Sequence, residues 1–527
     1  MPPADDDYGP DMPPDDEDGG RFFGGGITAQ ESEVLDFVDG ADADAPPPDK
    51  IDAGWLRKMA LNFEKHITKN AELRAKYIDE PEKFIGSEGD LDADIKGLSV
   101  LTEHPHLYKE FIKLGCAASL VDLLAHDNTD IAIDAVEIVA ELTDEDVAAD
   151  DADWNALVDA MLDAGLGDLI VSNFSRLHES DEADRNGVYH ALNVLENLCS
   201  RSTVATRLAE DEKLLEWLLR RIQREETQVS QNKQYAAELL AILTQASSEN
   251  RLKLIGLSAI DVLLQLVAPY RRRDPDKGSE EEEFMENLFE ALTCLSDEAS
   301  GKLQFVEAEG LELCLIMLKD GKMSKAPALR LIDHSVGGEG PCAEACQKLV
   351  EAGGLKGLFT LFNKSQDHRL LGYLLAIFAS MLRHLPGQSA ERIRTLVKFV
   401  ENDYQKTVKL VKLHGEYANR VRRAEEQNEA ERKAADEDEA AEMEVEWLSR
   451  RLDAGLYNLQ SVDVILAWLV AEDDGARARI KKLLADRDES LNTLKLTIEE
   501  QLKEMDSTDE KSQDMRDMLG TLVEFLQ

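Results

Sequence analysis

Few residues in this chain stand at spacings that support chemistry. His104-Pro105-His106 has the His-x-His spacing of some metal hydrolases. Those sites place the pair on a strand and draw further ligands from elsewhere. Here it falls between helical patterns, where a structural role is the plainer reading. Cys342 and Cys346 lie one helical turn apart, with His334 and His368 near in sequence. They offer two zinc ligands, but zinc takes four in compact motifs. Gly337-Gly338-Glu339-Gly340-Pro341 is glycine-rich, yet it has no lysine and ends in proline, so it reads as a loop. The sequence contains no Gly-x-x-x-x-Gly-Lys-Ser/Thr, no Gly-x-Ser-x-Gly and no His-Glu-x-x-His. We expect no catalytic residue, no cofactor and no metal.

The residues that remain are suited to holding a partner. Tyr189-x-x-x-Asn193, with Asn197 one turn on, puts one aromatic ring and two amides on one helix face. Asp134, Glu137 and Glu141 line the outer face of another helix. These six residues are the candidate partner-binding set.

The helices that must position them recur. Between Leu101 and Asp146 the apolar spacing predicts three helices. The first carries Leu107, Phe111, Ile112 and Leu114 and stops at Gly115. The second carries Leu120, Val121, Leu123 and Leu124 and ends at His126-Asp127-Asn128-Thr129, whose polar side chains can cap the next helix. The third runs from Asp130 with Ile131, Ala135, Ile138, Val139 and Leu142 inward. Copies follow near Gly165, Leu214, Gly256, Gly310 and Gly354. The period is about 45–50 residues, the range of armadillo and HEAT repeats. The expected fold is an all-α armadillo/HEAT-like solenoid. Residues 51–100 read as an N-terminal helical cap, 101–400 as the repeats and 401–527 as a C-terminal helical region that caps the array.

Composition narrows the partners. The 527 residues carry a net charge of -48, which argues against direct nucleic-acid binding and favours basic peptide segments. No run of 18 apolar residues occurs, so no membrane span is expected. The six cysteines sit mostly among apolar helical residues, as reduced core thiols do.

The two ends differ from the middle. Met1 to Asp49 contains fifteen Asp or Glu and one Arg, with Pro and Gly clusters, and is expected to be disordered. Phe22 and Phe23 within it resemble a short docking motif. Arg420 to Glu446 is almost wholly charged or alanine, either an exposed helix with i,i+4 pairs or a disordered spacer. Trp447, Leu448, Leu452, Leu456, Leu459, Val462, Ile465, Leu466 and Leu469 then form an apolar stripe. That stripe caps the solenoid by default, with a homodimer contact as its other use.

Several stretches resemble the beta-catenin-like protein 1 family, nuclear armadillo-like proteins associated with the spliceosome. They include Asn70-x-Glu72-Leu73-Arg74, Pro81-Glu82-Lys83-Phe84, His126-Asp127-Asn128-Thr129-Asp130, Glu141-Leu142-Thr143-Asp144, Glu249-Asn250-Arg251, Met285-Glu286-Asn287-Leu288-Phe289 and Arg450-Arg451-Leu452-Asp453-Ala454-Gly455-Leu456. The resemblance runs collinearly over about residues 55 to 470. It implies a non-catalytic nuclear scaffold that binds basic, nuclear-localisation-like segments of splicing factors. The expected partners belong to the assembly around pre-mRNA-processing factor nineteen. Two features depart from the pattern. The N-terminal region is acidic where relatives can carry a basic localisation signal, and importin-like grooves repeat a Trp-x-x-x-Asn pair of which only Tyr189 and Asn193 remain. Acidic side chains must then carry recognition. A cytoplasmic helical-repeat adaptor for transport or degradation is the alternative with the same fold.

The tail reading yields a first prediction. Residues 1–49 present no periodic apolar face, so deleting them is expected to leave the melting temperature nearly unchanged. A large drop, measured by differential scanning calorimetry, would show that Phe22 and Phe23 dock on the body.

Overall fold

The computed structural model describes residues 50–434, 437–505 and 513–527. The acidic tail, with Phe22 and Phe23, lies outside them. All regular structure among the described residues is helical. A cap of α1 (Ala53–Lys76) and α2 (Ile85–Gly97) comes first. Units of two short helices and one longer helix follow. They are α3 (Tyr108–Lys113), α4 (Cys116–Asp122) and α5 (Thr129–Thr143), then α6 (Asp151–Asp163), α7 (Leu166–Asn173) and α8 (Glu182–Cys199). The next are α9 (Ser202–Leu208), α10 (Lys213–Gln223) and α11 (Gln231–Ala246), then α12 (Ser248–Gly256), α13 (Ala259–Val267) and α14 (Glu280–Asp297). Two more units hold α15 (Ala299–Glu307), α16 (Gly310–Asp320) and α17 (Lys325–Val336), then α18 (Cys342–Glu351), α19 (Gly354–Lys364) and α20 (His368–His384).

The third helix of each unit packs on the third helix of the next. This ladder of α5, α8, α11, α14, α17 and α20 is the spine of the molecule. Its rungs start at polar caps. Asn128 Oδ1 accepts from the Asp130 N–H at 3.0 Å, Asp181 from Ala183 at 2.9 Å and Asp367 from Arg369 at 2.8 Å. The expected inward residues of α5 are buried, Ile138 and Leu142 among them. Each such side chain contributes about 1.5–3 kcal/mol by leaving water. Aromatic residues fasten the end of the α5 rung, one from within its unit and one from the next. Tyr108 Oη donates to the Leu142 carbonyl at 2.9 Å, and Trp154 Nε1 donates to that of Thr143 at 3.1 Å.

In five of the six units the first two helices meet at a corner in left-handed conformation; the corner between α9 and α10 does not use it. Gly115 and Gly165 supply it at φ 82° and 90°. In later units the corner falls on neighbours of the expected glycines. Gly353, not Gly354, is left-handed, and Glu309, not Gly310, adopts φ 60°. Ser258 takes the place expected near Gly256, also at φ 60°. Gly310 is instead needed for space, since a Cβ there would meet the Phe305 ring at 2.3 Å.

Beyond the repeats the array is closed by α21 (Ala390–Ala434), α22 (Glu437–Asp453), α23 (Leu456–Glu472), α24 (Asp474–Ala485), α25 (Leu491–Glu504) and α26 (Gln513–Phe525). α21 is broken at Glu401–Tyr404, where Asn402, Asp403 and Tyr404 are all left-handed. α23 packs on α20 and extends the ladder by one rung. Of the two readings of residues 420–446, the described part is helical. α21 and α22 pair as a hairpin, with Trp447 Nε1 donating to Glu431 Oε2 at 2.9 Å and Arg450 bound to the same carboxylate at 2.8 Å.

The apolar stripe there is split. Trp447 and Leu456, Leu459, Val462, Ile465, Leu466 and Leu469 are buried, but Leu448 and Leu452 are about half exposed. The chain bends by 54° at Gly455, so one helical face cannot continue across the corner. Behind it His414 and Asp463 are fully buried, 2.5 Å apart, and join α21 to α23.

The corners give a clean test of backbone strain. A Cβ on Gly115 meets nothing within 4 Å, so Gly115→Ala acts through φ alone. It is expected to cost about 1 kcal/mol, because left-handed backbone penalises any Cβ. Glu309→Gly relieves the same strain and is expected to gain about 0.5–1 kcal/mol. Urea unfolding of both variants measures the two signs.

Candidate functional site

The exposed side of the ladder carries carboxylates on successive rungs. Glu141 stands on α5, Glu196 on α8, Glu238 on α11 and Glu283 on α14. None of the four has a basic partner among the described residues. Burial raises the carboxyl of Glu141, and Glu137 adds to it. Burial also raises that of Glu238, and Glu196, Glu283 and Glu280 push it further. The rungs thus hold like charges close enough to oppose each other's ionisation.

Aromatic rings and amides lie between these charges. Tyr189 and Tyr235, one repeat period apart, place their rings 5.3 Å from centroid to centroid. Tyr235 Oη donates to Glu196 and accepts from Asn193 Nδ2 at 3.2 Å. Burial, then Glu196, keeps that phenol far from ionising. Beside them a cavity of about 610 Å³ is lined by Asp144, Glu145, Asp146, Trp154, Asn193 and Glu196. Arg201 stacks on Trp154 at 4.8 Å and reaches Asp151 at 3.1 Å. The arrangement offers acidic walls, an aromatic floor and an amide that can turn to a peptide backbone.

The six residues singled out from sequence do not all lie on this face. Tyr189, Asn193, Glu137 and Glu141 border it. Asn197 is engaged internally, donating from Nδ2 to the Ala140 carbonyl at 3.1 Å and to Asn193 Oδ1 at 3.3 Å. It orients Asn193. Asp134 departs from the outer face assigned to it. It turns toward α2, where Lys96 Nζ lies 3.5 Å away and Asp92 shares its proton. Glu196, Tyr235, Glu238 and Glu283 escaped the sequence reading. Their signal was the repeat period itself, which sets Tyr235 beneath Tyr189.

The other chemical candidates are occupied in structural contacts. Cys342 Sγ donates to the Gly337 carbonyl at 3.2 Å, and Lys302 Nζ donates to the same carbonyl. Burial keeps the Cys346 thiol protonated, and that of Cys314 likewise. Among the described residues no cluster of three His, Cys, Asp or Glu is placed to hold a metal ion. Nor is any single helix there long and apolar enough to cross a membrane.

A family model described as "Catenin-beta-like, Arm-motif containing nuclear" matches residues 32–499. The chain belongs to this family. It is 40% identical over 473 residues to "Beta-catenin-like protein 1 homolog" of Schizosaccharomyces pombe, covering 89% of this chain and 82% of that protein. It is 36% identical over 500 residues to "Beta-catenin-like protein 1" of Homo sapiens, covering 90% and 86%. An engineered protein of known crystal structure shares the fold, with a TM-score of 0.51 at 17% identity over 83% of this chain and 95% of that one. The chain is a helical-repeat scaffold of the armadillo type.

The Asp92–Asp134 pair predicts a pH effect. Burial raises the Asp134 carboxyl to about 7, Asp92 adds to this, and Lys96 only partly offsets it. A carboxyl raised in the folded state holds its proton more tightly there than in the unfolded chain. Stability is therefore expected to fall as pH rises through about 7. Asp134→Asn keeps a donor toward Asp92 and is expected to flatten the melting temperature across that range. Calorimetry on either side of neutrality compares the two proteins.

Proposed function

We propose that the ladder face binds extended basic segments of partner proteins, and that the protein is a non-catalytic nuclear scaffold for splicing factors. The observation that carries the reading is the row Glu141, Glu196, Glu238 and Glu283. These carboxylates remain without cations on successive rungs although burial raises the pKa of Glu238 and its neighbours Glu196 and Glu283 raise it further. A stack of rigid rungs that tolerates this repulsion is poised for a ligand that brings positive charge. An extended peptide matches it, because its side chains alternate and its backbone amides reach groups such as Asn193. The net charge of -48 draws such segments in from a distance. The family description supplies the nuclear setting. Splicing factors as the partners, among them the assembly around pre-mRNA-processing factor nineteen, are what the resemblance to the beta-catenin-like protein 1 family implies.

Two measurements check this. Affinity for a lysine- and arginine-rich peptide is expected to fall steeply from low salt to 0.15 M, where the screening length is about 8 Å. Glu196→Gln with Glu238→Gln is expected to weaken binding roughly 5–30-fold and to flatten the salt slope, each charge being worth about 0.5–1 kcal/mol. Salt-independent binding rejects the electrostatic account. Affinity capture from nuclear and cytoplasmic extracts separates the compartments: splicing factors should dominate the nuclear capture, and transport or degradation factors from the cytoplasm would overturn the assignment.

A further inference from the structure

The ladder face ends in a pocket that differs from the rest of it. The pocket encloses about 500 Å³ where α17, α20 and α23 meet, with α25 and α26 along one side. Elsewhere on the face the unpaired charges described are carboxylates. This pocket offers charges of both signs, and neither is in an ion pair.

Asp333 of α17 lines it, with no hydrogen-bond or ion-pair partner among the described residues. The nearby Asp297 and His334 pair with each other, 2.8 Å apart, at the rim. Burial pushes the Asp333 carboxyl up to about 7. Arg383 of α20 lines the same pocket and makes no hydrogen bond or ion pair among the described residues, with Asp514 of α26 the one carboxylate whose charge acts on it. Burial lowers the pKa of Arg383. Gln501 Oε1 of α25 is buried there without a donor. Leaving the buried Gln501 oxygen without a donor is costly, and the half-buried Asp333 and Arg383 converge on the same pocket unpaired. The remaining wall is suited to a hydrocarbon stem: Met515 and Met518 of α26 face Ala379 and Val464. Tyr457 stands at the site with 57% of its surface exposed.

A ligand bearing only a cation would satisfy Asp333 and leave Arg383 unpaired in the same pocket. A ligand bearing only an anion would do the reverse. The complement is one that carries both charges on adjacent positions. We propose that this pocket seats a lysine or arginine that neighbours an acidic residue in a bound peptide, with the cation on Asp333, the carboxylate on Arg383 and the methylene stem against Met515 and Met518. The proposal rests on the reading of the ladder face as a peptide groove, and it fixes the register in which a segment lies there. Gln501 Oε1 then accepts from the peptide's basic group or backbone. Segments without such a pair bind along the acidic rungs but leave this end of the groove unfilled.

The test uses the full chain and fluorescent twelve-residue peptides at pH 8. One peptide carries a Lys-Glu pair after a constant basic stretch. The others carry Lys-Gln, Gln-Glu or Gln-Gln at the same place, and one ends in a free carboxylate directly after the lysine. The Lys-Glu peptide is expected to bind the wild type about fivefold or more tightly than the Gln-Gln peptide. Asp333→Asn with Arg383→Gln is expected to abolish that difference while leaving the Gln-Gln peptide unchanged. The terminal-carboxylate peptide should match Lys-Glu if any adjacent carboxylate suffices, and match Lys-Gln if the acidic side chain is required. Either result supports the pocket and identifies the source of its anion. Asp333→Asn removes an unpaired, half-buried carboxyl whose charged form burial disfavours, so its melting temperature should be equal or higher, which shows that the variant folds. If every peptide binds and wild type and variant rank them identically, the pocket assignment is overturned and the groove stands. If no peptide binds, the groove reading itself falls, and this inference with it.

Discussion

Every feature of this protein depends on the packing of one third helix against the next. Ile138, Val139 and Leu142 on α5 and Val188, Leu192 and Leu195 on α8 are buried in such contacts. The same pattern continues through Leu239 and Leu243, Leu288 and Leu292, and Leu374 and Ile377. No single unit has enough apolar surface to stand alone, so each rung is stable because of its neighbours. This one-dimensional dependence lets the exposed side of the rungs diverge freely in charge. It also makes the ends of the array special. α1 and α2 cover the first rung, and α24 to α26 cover the last.

The electrostatics follow from that scaffold. A core strong enough to hold like charges in register can afford an acidic face that opposes its own ionisation. Elsewhere the protein does pair its charges. Arg392 sits buried with Glu472 and against the Trp468 ring, and Arg221 lies between Glu179 and Glu226. The contrast distinguishes a binding face from charges that join one element to another.

Much of the fold was legible in residue type. Gly115 and Gly165 mark their corners, and the polar run at Asn128 marks the start of α5, because each residue does something no other does as cheaply there. Glu309 and Ser258 could not be read, since nothing in a glutamate or a serine announces left-handed backbone. Asp134 was misassigned because helical periodicity separates inside from outside only within one helix. The covering element, α2, has the weakly patterned sequence Ile85-Gly86-Ser87-Glu88-Gly89-Asp90 and gives little warning that it lies across α5. Leu448 and Leu452 were misread for a related reason: a stripe is a property of one straight helix, and Gly455 ends it. Of the ladder face, Tyr189 and Asn193 were visible through their spacing. Tyr235 and Glu238 became visible only once the rungs were in place, because their neighbours are a full repeat away in sequence.

The row of unneutralised carboxylates has a mechanical consequence. It lies along one side of a stack whose rungs are stiff and whose joints are apolar and non-directional. Repulsion along that side acts as a spreading force at every joint, and the packed side acts as the hinge. Salt, protons or a bound cationic chain all reduce the spreading force, and each lets the stack curl toward the charged side. The end-to-end length of the molecule is therefore a gauge of how much positive charge that side holds.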